Sequence, residues 1–187
     1  PRRTACPAWA FRALAAGLLL LAFSLPAQAG DVEDCRSKAK MTNEARLKAC
    51  NAVIDSKQAT DADLAFAYYK RAVTDSANPN ANQAGVMADV SKAIDVDPKL
   101  MEAYAFRALG YNKALQYDKA IADLGSAIAI APDRWGLYSL RAMVQAQKKD
   151  EKAAIADFRS ALALNPPAAS AEMIRQRINK LEQSTSQ

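Results

Sequence analysis

Three arginines and three aspartates are the side chains whose types and spacing most invite a chemical reading. Arg71, Arg107 and Arg141 each follow a tyrosine by three residues (Tyr68, Tyr104 and Tyr138), and Asp89, Asp123 and Asp157 lie 34 apart. Two chemistries fit such a set: ion pairing between the two series, or a line of guanidinium groups offered to an anion. A second candidate is Cys35 with Cys50, read either as one disulfide closing a loop of 15 residues or as two small buried thiols. Alone, the two cysteines are only half of a zinc site. The chain has no histidine, which removes the commonest general base and metal ligand and any Ser/His/Asp or Cys/His arrangement. No glycine-rich phosphate loop occurs either. Gly110, Gly125 and Gly136 fall inside helical patterns and read as close-packing points, and Asp95 with Asp97 ahead of Pro98 reads as a helix end. No catalytic residue, metal ligand or cofactor is expected, and the chain is not expected to be an enzyme.

The ends of the chain refine this. The 187 residues are 51% hydrophobic, enough for one domain with a core. Residues 1 to 29 are set apart from it: Arg2, Arg3 and Arg12 precede an apolar run from Ala13 to Phe23, followed by Pro26 and Ala27-Gln28-Ala29. These are the three parts of a secretory signal peptide, with cleavage expected after Ala29, and the run falls short of the roughly 20 apolar residues of a membrane span. Arg2-Arg3 raises the twin-arginine route, but Thr4-Ala5-Cys6 lacks the apolar residues usual after the pair, so the general secretory route is favoured. Periplasmic or secreted localisation follows, with no lipid attachment at Cys35 and no stable membrane anchor once the signal is cut. The segment carries three basic and no acidic residues, so the charged residues fall from 25 basic and 20 acidic to 22 and 20. Interleaved charges with so small an excess leave no footprint for nucleic acid. In an oxidising compartment the disulfide reading of Cys35 and Cys50 gains weight, at about 3 kcal/mol for a loop of that length.

These residues must be positioned by something periodic. Pro98, Pro132 and Pro166 are 34 apart, as are Ala93, Ala127 and Ala161, while Tyr68 lies 36 before Tyr104. The two extra residues fall in Ser76-Ala77-Asn78-Pro79-Asn80, which reads as a longer turn between helices. Within a unit, Ala120, Ile121, Leu124, Ala127 and Ile128 form an apolar stripe at helical period. Ala108, Ala120 and Ala127 let two antiparallel helices approach closely, with Tyr104, Tyr111 and Leu124 filling the space between. Pro132 stops the second helix. Arginine and aspartate then stand at similar heights on the two helices, which favours ion pairs within a unit or to its neighbour over anion binding.

Two helices per 34 residues, with these small residues and the terminal proline, resemble the tetratricopeptide repeat in the form common among exported bacterial proteins. The resemblance is strongest over 101–134 and 135–168 and weaker over 65–100, where Val86 stands in an alanine position. It implies an all-α, right-handed α-solenoid of three helix pairs between terminal caps. The N-terminal cap is placed at 30–60, with Cys35 pinning a short helix onto one bearing Ala45, Ala49, Ala52 and Val53. Thr60 to Asp63 reads as a capping box. The C-terminal cap is placed at 169–187, with a stripe of Ile174, Ile178 and Leu181 and a frayed end from Ser184 to Gln187.

The family also implies a concave surface that binds protein. Carried over residue by residue, it comprises Phe66, Tyr69 and Val73 in the first unit, Ala105, Leu109, Asn112 and Lys113 in the second, and Ser139, Met143, Ala146 and Gln147 in the third. This floor lacks the Lys, Asn and Arg set of the clamp that some family members close on a terminal carboxylate. It suits a peptide or protein segment with apolar anchors, Asn112 and Gln147 being able to hydrogen-bond its backbone. Two alternatives are a subunit of a cell-envelope assembly and a homodimer built on the same apolar stripe.

Overall fold

The computed structural model describes residues 29–37, 41–56 and 58–185, which hold nine helices and no strand. The signal-peptide reading, including Ala27, lies outside the described residues except for Ala29, which opens the first helix. In chain order the helices are α1 (Ala29–Arg36), α2 (Asn43–Asp55), α3 (Asp61–Ser76), α4 (Gln83–Val96), α5 (Met101–Lys113), α6 (Tyr117–Ile130), α7 (Trp135–Gln147), α8 (Glu151–Ala163) and α9 (Ala168–Thr185). They pack chiefly on their chain neighbours. The tightest pairs are α3 with α4, α5 with α6 and α7 with α8, and α1 and α5 both also touch α3. The chain is an all-α helical repeat.

The pairs close up because their contact lines are alanine. Ala72, Ala108 and Ala142 on the first helices and Ala93, Ala127 and Ala161 on the second are all fully buried, and so are Ala120 and Ala154. A methyl group at each crossing lets the backbones approach, and larger side chains such as Leu124, Phe158 and Val90 fill the spaces alongside. Burying each of these contributes on the order of 2 kcal/mol relative to exposure. Val86, in an alanine position, is also buried at 5% exposure, so α3 and α4 accommodate the larger side chain.

Helix ends follow from local chemistry. Thr42, Thr60, Asn82 and Asp150 each accept a backbone N–H of the first turn of α2, α3, α4 and α8. At Thr60 the box is closed by its own hydroxyl donating to Asp63 Oδ2 at 2.7 Å. That cap starts α3 at Asp61, a turn before the repeat boundary placed at 65. The α5–α6 and α7–α8 turns share one geometry. Leu115 (φ 59°) and Lys149 (φ 72°) occupy the left-handed region, and Gln116 and Asp150 each donate at 2.9 Å to the carbonyl five residues back. Glycine is the cheapest residue there, and a side chain costs about 1 kcal/mol. The first unit makes a six-residue turn, 77–82, in which Asn78 Oδ1 accepts from Asn80 N.

Two expectations are corrected. Ser184 lies within α9 and not beyond its end, its hydroxyl 2.7 Å from Leu181 O and 3.1 Å from Glu151 Oε1. Gly136 is not a close-packing point, since a Cβ there would meet no atom within 4 Å. Gly110 does pack closely, a Cβ there falling 2.6 Å from Met87 Sδ.

Candidate binding groove and the charge ladder behind it

The repeated charges form three fork-to-fork pairs, each inside one unit. Arg71 donates to Asp89 through Nε and Nη2, both at 2.7 Å. Arg107 meets Asp123 at 2.7 and 2.8 Å, and Arg141 meets Asp157 at the same distances. All three aspartates are buried. The tyrosine three residues earlier offers its ring face to each guanidinium, at 5.5 Å for Tyr68, 5.9 Å for Tyr104 and 5.9 Å for Tyr138. The bonds to aspartate push each arginine's pKa further up, against the opposing pull of burial. With one edge of every guanidinium committed to a carboxylate and its face to a ring, the ladder is scaffold and not an anion site.

The third nitrogen, Nη1, takes no part in the fork, and in two of the three arginines it reaches the preceding helix pair. Arg71 Nη1 donates to Asn51 Oδ1 at 2.9 Å and Arg107 Nη1 to Ser91 Oγ at 3.3 Å. The residue 34 after Ser91 is Gly125, and a Cβ built there lies 3.8 Å from Arg141 Nη1, with nothing else within 4 Å. Gly125→Ser therefore supplies the missing acceptor and removes a glycine from a helix interior, a gain of about 1 kcal/mol in all. Thermal melts should rank Gly125→Ser above Gly125→Ala, which gains only helix propensity. Equal gains would show that the link between units contributes nothing.

The residues assigned to the concave face divide into several neighbourhoods. Phe66 and Tyr69 on α3 meet edge to face at 5.9 Å, and Tyr69 meets Phe106 of α5 in the same way at 6.1 Å. Arg36 of α1 lies over Phe66 at 4.8 Å, so the N-terminal cap closes this end. Ser139 and Met143 line an open cavity of about 840 Å³ between the start of α5 and α7, with Met101, Glu102, Trp135 and Leu140. Gly136, without a side chain, leaves its wall open. Leu109 is 46% exposed, whereas Val73 and Ala105 are half-buried, Ala105 against the central core. Asn112 is half-buried too, and its Oδ1 is covered and has no partner among the described residues, so that oxygen is not offered to a ligand. Lys113 lines a different cavity, between α4 and α5, and Ala146 and Gln147 line a third beside α9.

Glu102 and Phe106 are absent from the set read from the sequence. Glu102 could have been found, because it lies 34 before Gly136 on the same helix face. Its carboxylate raises the pKa of Tyr69, second to the larger effect of burial. Both causes favour the neutral phenol, so the folded protein holds this proton above the ordinary value of about 10. Stability is therefore intact below the unfolded phenol's pKa and falls as pH rises through the folded one. In an alkaline absorbance titration, the component lost in Tyr69→Phe should lie above the ordinary value and move down in Glu102→Gln. A component that does not respond to Glu102→Gln would place the two groups apart.

Among the described residues no three Cys, Asp or Glu side chains converge as a metal site, and no helix is long and apolar enough to cross a membrane. No curated protein matches the chain. Residues 109–179 match the family model described as tetratricopeptide repeat. Among solved structures, the first TPR domain of Spaghetti (RPAP3) bound to an HSP90 peptide is 19% identical, at a TM-score of 0.60 over 68% of this chain and 98% of its own. The TPR2B domain of yeast Sti1, in its pHsp70 complex, is 24% identical at 0.55, over 66% and 98%. MamA AMB-1 is 14% identical at 0.61, over 86% and 81%. At such identities these structures establish the fold alone. Together with the family-model match over residues 109–179 and the alanine-lined helix pairs, they give this chain a fold similar to that of the tetratricopeptide repeats.

Proposed function

We propose that this chain is a non-enzymatic scaffold that holds a protein partner, as an extended or amphipathic segment, along the face formed by α3, α5 and α7. The observation that carries this reading is that the face keeps apolar side chains within reach of water. Leu109 is 46% exposed on α5, three residues after Phe106, whose ring meets Tyr69 edge to face as Tyr69 meets Phe66, and the 840 Å³ cavity is walled by Met101, Leu140 and Met143. Exposed apolar surface rimmed by polar groups marks an interaction site. Spaghetti, bound to an HSP90 peptide, and the TPR2B domain of Sti1, in a pHsp70 complex, share the fold, and that precedent supports the reading. The second part of the proposal is export, supported by the leader-like residues 1 to 29 and by the Cys35–Cys50 disulfide, a bond at home in the periplasm or outside the cell.

Site-specific photocrosslinking in intact cells tests both parts. A photoreactive residue at Leu109 or Met143 should capture a discrete partner that one at Lys152, exposed on α8, does not. The mature chain recovered from the envelope should begin at Gly30. Capture from Lys152 alone would overturn the groove. A crosslinked dimer of this chain, lost in Leu109→Glu by light scattering, would reassign the face to self-association.

A further inference from the structure

The groove does not stop at Met143. Met143 and Ala146 of α7 continue into a cavity of about 470 Å³, whose floor is completed by Phe158 of α8 and Leu181 of α9. Its polar rim is of one sign: Lys149 from the α7–α8 turn and Arg177 and Lys180 from α9, with no carboxylate among the lining residues. The nearby acids are engaged elsewhere. Asp150 accepts from Ala153 N at the start of α8, Glu182 from Arg159 Nη2 at 2.8 Å, and Glu151 from Ser184 Oγ. Among the described residues none of the three cations forms an ion pair.

An apolar floor under three cations fits a group with an aliphatic stem and a negative end. Because the floor is continuous with the groove through Met143, one extended ligand can occupy both. Resting on the groove reading above, we propose that the bound protein segment carries acidic side chains at its α9 end, seated among Lys149, Arg177 and Lys180. Two of the three cations lie outside the repeats, on the capping helix, and the third is in the turn of the last unit. α9 on this proposal is part of the recognition surface as well as a cap.

Fluorescence anisotropy tests it with a labelled, amidated peptide of about ten residues, extended over roughly 35 Å, with alternating leucines and two glutamates at one end. A twin carries glutamines in their place. The full chain should bind the glutamate peptide about tenfold more tightly than its twin, with the difference shrinking as salt rises. Lys149→Glu/Arg177→Glu/Lys180→Glu changes exposed residues only, so circular dichroism should be unchanged. This variant should erase the preference without weakening the glutamine peptide, and Lys99→Glu/Lys152→Glu should leave the preference in place. Equal affinities, or a preference that survives the triple change, overturn the acidic pocket and leave the groove standing. Binding of neither peptide overturns both. If phosphatidylglycerol vesicles sediment the parent but not the triple variant, while the peptides are not distinguished, the cations serve a lipid surface and the proposal fails.

Discussion

Asp123→Ala should lower the melting temperature by roughly 6 to 12 °C, from a loss of about 3 kcal/mol spread over a domain of this size. The substitution removes both acceptors of the Arg107 fork and leaves a cation whose side chain is 19% exposed between the rings of Tyr104 and Tyr111. The guanidinium cannot swing into water without abandoning Ser91, so the change also loosens the contact with α4. In a stacked array each unit is stabilised by its neighbours, and a fault in the middle pair weakens the stack on both sides. Two further variants separate charge from volume. Asp123→Asn keeps the shape and one acceptor and should fall between the parent and the alanine variant. Arg107→Met/Asp123→Leu removes both charges and should recover much of the loss, because the penalty lies in stranding one partner. A melting point for Asp123→Ala within about 1 °C of the parent would show that the fork contributes no more than a surface pair.

That ladder was legible in the sequence because period and chemistry coincide. A 34-residue offset sets Arg107 and Asp123 at one height on antiparallel helices, and only opposite charges tolerate being buried there together. The alanine lines were legible for the same reason, since Ala108 and Ala127 recur where backbones must touch. The groove was less so. Its positions can be inherited from the family face, but contact depends on how α3 and α5 lean together, and this brings Phe106 to Tyr69 through no repeat rule. Lys113 and Gln147 share one register position, yet line different cavities because their neighbours differ: α4 beside Lys113, and α9 beside Gln147. Gly136 misled for the opposite reason. A glycine in a helix suggests close packing, whereas here it faces open space on a cavity wall. The α9 cations were invisible to a reading by repeats because they belong to no repeat.

The second large effect is expected at the other end of the molecule. Cys35 and Cys50 are bonded, with Cα atoms 4.9 Å apart, and both are buried among Ala49, Val53 and Ala67. Helix α1 has eight residues, too few to be helical alone. It is held by the bridge, by the core residues beneath it and by Arg36, which pairs with Asp63 at 2.9 Å and covers Phe66. Opening the disulfide, by reduction or in Cys35→Ala/Cys50→Ala, should cost about 3 kcal/mol in the chain-entropy account. Stability in such an array is local, so the loss should appear first in α1 and α2. Their amide exchange should quicken by about a hundredfold, while α5 to α8 hold their protection. Unchanged protection of α1 in the reduced protein would show that packing alone holds the cap. If α1 does release, Arg36 leaves Phe66 and the aromatic end of the groove loses its closure. The bridge thereby makes the shape of that end depend on an oxidising environment.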